Sequence, residues 1–371
     1  MYIHQLTLQN FRNYETASVS FLNGTNIIYG NNAQGKTNIL EAIFLFCTGR
    51  SHRRASDKEM IRQEQARSVI DLTFCDEVRD YIGQMKLLEG KKKFVSINKV
   101  PVKKISLIAD YINIVMFSPE DLSIIKDSPA ERRRFFDMSV SQLSPVYVSL
   151  LNEYLKILKQ RNNLLKEIKR SGKSDDTLDI WDTYLIDLSC KIIRYRYDFL
   201  EKLIGYAHVI HREISGETLE VQYCSNCCES VAHNEQLQQQ LEERVKKSRR
   251  RDIETGTSNI GCHRDDFVFY INGRDAKLYG SQGQQRSVVL SLKLALTEVI
   301  RQSRGTYPVI LLDDIMSELD ESRRLYLSGK IKGKQVILTC TDRPDAAAYE
   351  NVKYFYVHNN TVTEDAGCIS I

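Results

Sequence analysis

"YGNNAQGKTN", residues 29–38, sets two glycines, a pair of asparagines and a lysine between an apolar run and a helix-forming run. Gly30, Gly35, Lys36 and Thr37 fit G-x-x-x-x-G-K-[ST], with "TNIIY" reading as a strand before the loop and "TNILEAIFLFC" as an apolar helix after it. Glycine opens backbone turns that are closed to other residues. Successive N–H groups through Asn31, Asn32, Ala33 and Gln34, and on to Asn38, then face one concavity at a helix N-terminus, where anions are favoured. Lys36 adds a point charge for β- and γ-phosphates, and Thr37 offers a hydroxyl to Mg²⁺. A plain Gly/Asn turn joining strand to helix is the competing reading, and the strand–loop–helix context outweighs it.

The chain has 371 residues, 42% hydrophobic and 27% charged, with a net charge of +4. This length suits two domains, or one with a large insertion. The weak positive charge neither demands nor excludes nucleic acid. "MYIHQLTLQNF" alternates polar and apolar residues, unlike a secretory leader, and no run of about 18 apolar residues is present. The expectation is a cytoplasmic protein without a membrane segment. Nine cysteines are scattered along the chain. Cys224, Cys227 and Cys228, with His233 nearby, supply only half of a zinc-finger spacing and read as thiols at a strand end.

The first 30 residues and residues 67–117 read as strands; "TNILEAIFLFC" is the helix between them. At Ser128 the character changes: Ser128, Pro129 and Glu131 form a capping-box signature. Two long helical patterns follow, 144–170 and 176–214, and "NEQLQQQLEERVKKSRRR" extends the helical section. Without a sustained heptad repeat, and at about 40 Å for 27 residues, this is a compact lobe rather than a coiled-coil arm. After residue 256 buried strands and apolar helices return, in runs that suit a parallel sheet covered on both faces. The expected organisation is an α/β head assembled from 1–127 and 256–371, with a helical insertion at 128–255.

Two further stretches depend on the first. "VILLDD", 309–314, ends a dry strand in adjacent acids, which is costly without a reason. Asp313 is expected to hold Mg²⁺, and Asp314 to take a proton from an attacking water. "GSQGQQRS", 280–287, opens an apolar helix, and Ser281, Gly283 and Gln284 form a second anion cradle suited to nucleotide held by another subunit. A simple helix cap is the bland alternative.

Together these residues resemble the RecF family of the SMC/ABC-type P-loop ATPases. The resemblance runs nearly end to end through "GRSHRR", "FSPEDL", "SPAERRRFFD", "HRDDF", "SQGQQRS", "LLDDIMSELD" and "TCTD". Cys262 departs from the proline common in the family. Thr341 stands near the place of the ABC switch histidine, and Glu120 near that of the Q-loop. The resemblance implies ATP as ligand and ATP-dependent homodimerisation. It also implies binding to duplex DNA near single-strand gaps, and work with RecR and RecO to load RecA in repair, replication and the SOS response. Slow, DNA-stimulated ATP hydrolysis would release the dimer.

Basic clusters at Lys91–Lys93, Lys103–Lys104, Arg132–Arg134 and Lys246–Arg251 are equally readable as solvated faces or as phosphate contacts, and no base-reading motif is present. Two other classes compete: an ABC ATPase driving a different protein machine, and a module using nucleotide only as a structural ligand. The compact lobe argues against the first, and Asp314 against the second.

Overall fold

The computed structural model describes residues 1–76, 78–172, 177–231, 235–344 and 351–365; His233 lies outside them. In chain order the strands are β1 (Tyr2–Phe11), β2 (Tyr14–Ser20), β3 (Thr25–Tyr29), β4 (Arg67–Cys75), β5 (Asp80–Leu88), β6 (Phe94–Ile97), β7 (Val100–Pro101) and β8 (Ile114–Phe117). Then come β9 (Leu219–Cys224), β10 (Asp266–Ile271), β11 (Arg274–Asp275), β12 (Val309–Asp313), β13 (Val336–Cys340), β14 (Val352–His358) and β15 (Thr361–Asp365). The chain divides into two compact units, Met1–Asp121 with Leu290–Ile371, and Leu122–Val289.

The first unit contains two sheets. One has the order β15-β14-β3-β13-β12-β8, with neighbours parallel except for the β14–β15 hairpin. Its central strands are the near-continuous apolar runs, and every residue of β12 is buried. The other, β2-β1-β4-β5-β6-β7, is antiparallel, and Ile3, Leu6, Leu8 and Phe11 of β1 turn inward. The helix Lys36–Thr48 is buried almost throughout and packs on β1 and β4 as well as β8, β12 and β13. A helix that is apolar all round needs cover on every side, and two sheets supply it. Gln335 joins the sheets, accepting from the Ile3 amide and donating to the Ile3 carbonyl, both at 2.7 Å.

The second unit pairs the helices Pro145–Ser171 and Leu178–Ser215. The latter has 38 residues, about 57 Å of helix, and buries one stripe as its period requires. Leu237–Thr255 packs on both. The return to strands expected at 256 falls inside this unit, because β10 pairs antiparallel with β9, from Asp266 opposite Cys224 to Ile271 opposite Leu219. Phe267 of β10 stacks on Phe136 (3.6 Å between centroids) and Tyr223 (4.7 Å). Ser128 does stand at the N-cap of Pro129–Leu143, with Pro129 first in the helix, but its hydroxyl makes no capping bond.

Two buried arginines hold this unit together. Arg161 is fully buried, donating to Asp182 (2.6 Å), Asp252 (2.8 Å) and Ser258 (2.8 Å). Arg196 donates to Asp137 (2.9 Å), to the Cys262 carbonyl (2.7 Å) and to Asp265 (3.3 Å). His263 meets Tyr154 Oη at 2.5 Å and the Ser258 carbonyl at 3.1 Å, and burial pushes its imidazole down to about 4. Cys227 and Cys228 are buried, and burial raises the Cys227 thiol. Among the described residues, the one cluster of three or more His, Cys, Asp or Glu side chains within reach of a shared ion lies elsewhere: His4, Cys75 and Asp80, on three neighbouring strands.

Arg161→Ala takes a buried cation from Asp182, which keeps Arg249, and from Asp252, which keeps Ser248 and Asn259; the expected cost is about 3 kcal/mol, read by denaturant unfolding. His263 binds its proton more weakly folded than unfolded, so its stability contribution is present above pH 6.5 and is lost as pH falls towards 4. Between pH 7 and 5 the loss should be about 1–2 kcal/mol. His263→Gln should flatten that part of the stability–pH curve.

Candidate functional site

The glycine loop leaves the C-terminal end of β3, and the acid pair leaves that of β12, with β13 between them. Carboxyl ends of parallel strands are where α/β sheets place ligands. Gly30 (φ 145°) and Gly35 (φ 105°) take left-handed conformations that glycine alone adopts readily, and Ala33 joins them at φ 63°. A Cβ on Gly30 would stand 2.3 Å from the Val357 carbonyl oxygen of β14, so the neighbouring strand closes over the start of the loop.

Asn31, Asn32 and Ala33 are exposed, and Gln34, Gly35, Thr37 and Asn38 half-buried. Lys36 is buried, donating to the Gly30 and Asn31 carbonyls. Burial lowers its ammonium, while Asp314 and Asp313 act in the opposite direction. Thr37 Oγ1 donates to Asp313 Oδ1 at 2.9 Å, and Thr339 Oγ1 to the same oxygen at 2.8 Å. Burial raises the Asp313 carboxyl against those two hydrogen bonds. Asp314 is left-handed (φ 49°); its amide donates to Thr339 Oγ1 at 3.0 Å, and Ser317 Oγ donates to its carbonyl at 2.7 Å. Thr341 accepts at its carbonyl from the Gly30 amide (3.2 Å), and the exposed Glu120 lies near enough for its charge to raise Asp313 further.

Lys36, Thr37, Asp313 and Asp314 thus belong to one compact unit, and Ser281, Gly283 and Gln284 to the other. Ser281 is exposed, and with Gln284 it forms a reciprocal cap: Ser281 N–H to Gln284 Oε1 at 2.9 Å, Gln284 N–H to Ser281 Oγ at 3.2 Å. Gly283 is half-buried. Gln284 also donates to Glu217 at 2.7 Å.

Several residues at the loop carry no motif. Arg12 forks onto the buried Glu41 with two 2.8 Å bonds. Burial would raise that carboxyl, yet Arg12 and Ser51 hold it below its ordinary value. Tyr14 is buried with its ring against Gly35, where a Cβ would meet its hydroxyl at 2.8 Å. Beside the loop opens a cavity of about 1380 Å³, lined in part by Arg12, Asn13, Asn38, Arg53, Arg62 and Asn360. The turn "RNY" after β1 was the available signal, but short polar turns are common.

The family model of the RecF/RecN/SMC N-terminal domain matches residues 2–364. A DNA replication and repair protein RecF of Lachnoclostridium phytofermentans is 45% identical over 92% of this chain and 93% of its own. That of Clostridium perfringens is 41% identical over 98% and 99%. A solved structure of the recombination mediator protein RecF with ATP, in the RecFOR pathway, superposes with a TM-score of 0.93 at 35% identity, covering 98% of both chains. The Smc head domain of Pyrococcus furiosus, at 16% identity and a TM-score of 0.56, shares the fold. These neighbours bear out the ABC/SMC-type ATPase head expected from the sequence.

Thr339→Val removes the donor to Asp313 and the acceptor of the Asp314 amide. A loss of about 1–3 kcal/mol is expected, measured by chemical unfolding.

Proposed function

This chain belongs to the RecF family, and on that premise we propose that it is an ATP-driven DNA clamp of recombinational repair and replication. The observation that carries the reading is the 2.9 Å hydrogen bond from Thr37 to Asp313, which joins the end of the glycine loop to the acid strand. Two oxygen donors converge there, a hydroxyl and a carboxylate, and this set suits Mg²⁺. When bound, Mg²⁺ neutralises charge on the β- and γ-phosphates. Lys36, aligned by the Gly30 and Asn31 carbonyls, meets the same phosphates. The residues from Gly30 to Asn38 wrap the phosphate chain with backbone N–H groups, and the adjoining cavity offers room for the nucleoside.

Asp314, fixed through Thr339, is the proposed base. The water oxygen attacks the γ-phosphorus, its proton passes to the Asp314 carboxylate, and the bond to the β–γ bridging oxygen breaks to leave ADP and phosphate. Ser281, Gly283 and Gln284 of a second copy approach the γ-phosphate, so ATP joins two copies and hydrolysis parts them. Exposed Leu278 and Tyr279, just before Ser281, present apolar surface for that union. Lys and Arg side chains of the paired molecules hold duplex DNA near gaps by its phosphates. RecR and RecO are the proposed partners in loading RecA, within the cytoplasm and as part of the SOS response.

Sedimentation with ATP, ADP or no nucleotide, each with and without gapped DNA, tests this directly: only ATP should give the dimer, and the dimer should hold DNA more tightly. Asp314→Asn should keep ATP, accumulate as dimer, and slow turnover by about 10²-fold or more; unchanged turnover would remove the base role. Ser281→Arg should bind ATP yet stay monomeric.

A further inference from the structure

The glycine loop is gripped by two β-turns that come from opposite ends of the chain. One is the turn between β1 and β2, which carries Asn13; the other is the turn between β14 and β15, at Asn359 and Asn360. Gln34 Oε1 accepts from the Asn359 amide at 2.7 Å. Asn13 Nδ2 donates to Asn360 Oδ1 and reaches the Gln34 carbonyl at 3.5 Å. Asn13 Oδ1 accepts from Asn38 Nδ2 at 2.7 Å, at the first turn of the following helix. The second half of the loop, from Gln34 to Asn38, is therefore hydrogen-bonded to the two turns, and Val357 covers the start of the loop. Asn13, Asn38 and Asn360 line the cavity beside it.

Asn359 (φ 46°) and Asn360 (φ 59°) are both left-handed between paired His358 and Thr361, the two-residue hairpin turn that asparagine and glycine favour. The turn itself asks only for residues that accept positive φ. It does not ask for an amide at the second position, where glycine serves better. The Asn360 side chain is spent on Asn13 instead, away from its own turn.

The geometry points to Asn13 and Asn360 as positioning residues for the nucleotide: a clasp that holds the loop in its phosphate-binding shape, so that its order need not be created when ligand arrives. This inference rests on the reading of residues 30–38 as the phosphate site. The clasp acts through Gln34 and Asn38 and makes no claim on the chemical step.

Asn360→Gly separates the two roles, since it keeps or improves the hairpin turn and deletes only the acceptor. The full chain is assayed for ATP binding at equilibrium, for KM and kcat, and for thermal unfolding, alongside Asn13→Ala and the double variant. We expect Asn360→Gly to unfold no earlier than wild type, to bind ATP about three- to tenfold more weakly, and to raise KM with kcat little changed. Asn13→Ala should weaken ATP similarly, and the double variant should fall no further than the worse single one. Wild-type affinity in Asn360→Gly, or additive losses in the double variant, would overturn the clasp and leave the nucleotide reading standing. A wild-type protein that binds no ATP would overturn both.

Discussion

A carboxylate at the end of a fully buried strand has to find its hydrogen bonds inside the protein. Asp313 finds them at Thr37 and Thr339, from the neighbouring loop–helix and from β13. That requirement orders much else. β13 must lie between β3 and β12 for Thr339 to reach both the Asp313 side chain and the Asp314 amide. The loop must turn tightly enough for Thr37 to face the acid strand, which the glycine conformations allow. The helix that begins at Lys36 must then bury apolar residues on every side, and the antiparallel sheet supplies the second cover. The site and the core thus share elements: the residues that satisfy Asp313 come from the helix after β3 and from β13, both packed in the core.

Much of this was legible in the sequence because it is local. Glycine spacing, a lysine–threonine pair and an apolar run ending in two acids each carry their chemistry within about ten residues. The long helices were legible through period, and the observed Pro145–Ser171 and Leu178–Ser215 lie within a residue or two of the expected spans. What stayed hidden depends on distant partners. Nothing near residue 256 says that β10 will pair with a strand 42 residues earlier, yet that pairing draws 256–289 into the helical unit. Asn13 and Asn360 stand 347 positions apart and carry no motif on either side. Ser128 shows the reverse case: the local signature was present, and its hydroxyl made no capping bond.

Both units enclose ion pairs, Arg12 with the buried Glu41 in the first and Arg161 and Arg196 with their aspartates in the second. In the helical unit Asp182 also links Arg161 outward to Arg249; the merit of such pairs is defined geometry more than net stabilisation. The glycine loop adds charge that is nearer to solvent: Lys36 is buried at the edge of an exposed loop, and Arg53 and Arg62 line an open cavity. Groups of the first kind shape a scaffold; groups of the second kind are placed where an anionic ligand can meet them.

The strand that carries the glycine loop is flanked by β13 and β14, made from residues 336–340 and 352–358. During translation β3 leaves the ribosome more than 300 residues before either neighbour exists. Its backbone waits unpaired on both edges through nearly the whole of synthesis, a long interval of aggregation risk that chaperones would have to cover. A polypeptide released prematurely, even one retaining every glycine and acid of the motifs, lacks the strand that shapes the loop. Competence for the proposed nucleotide binding is in this way deferred until the last stretch of message has been read.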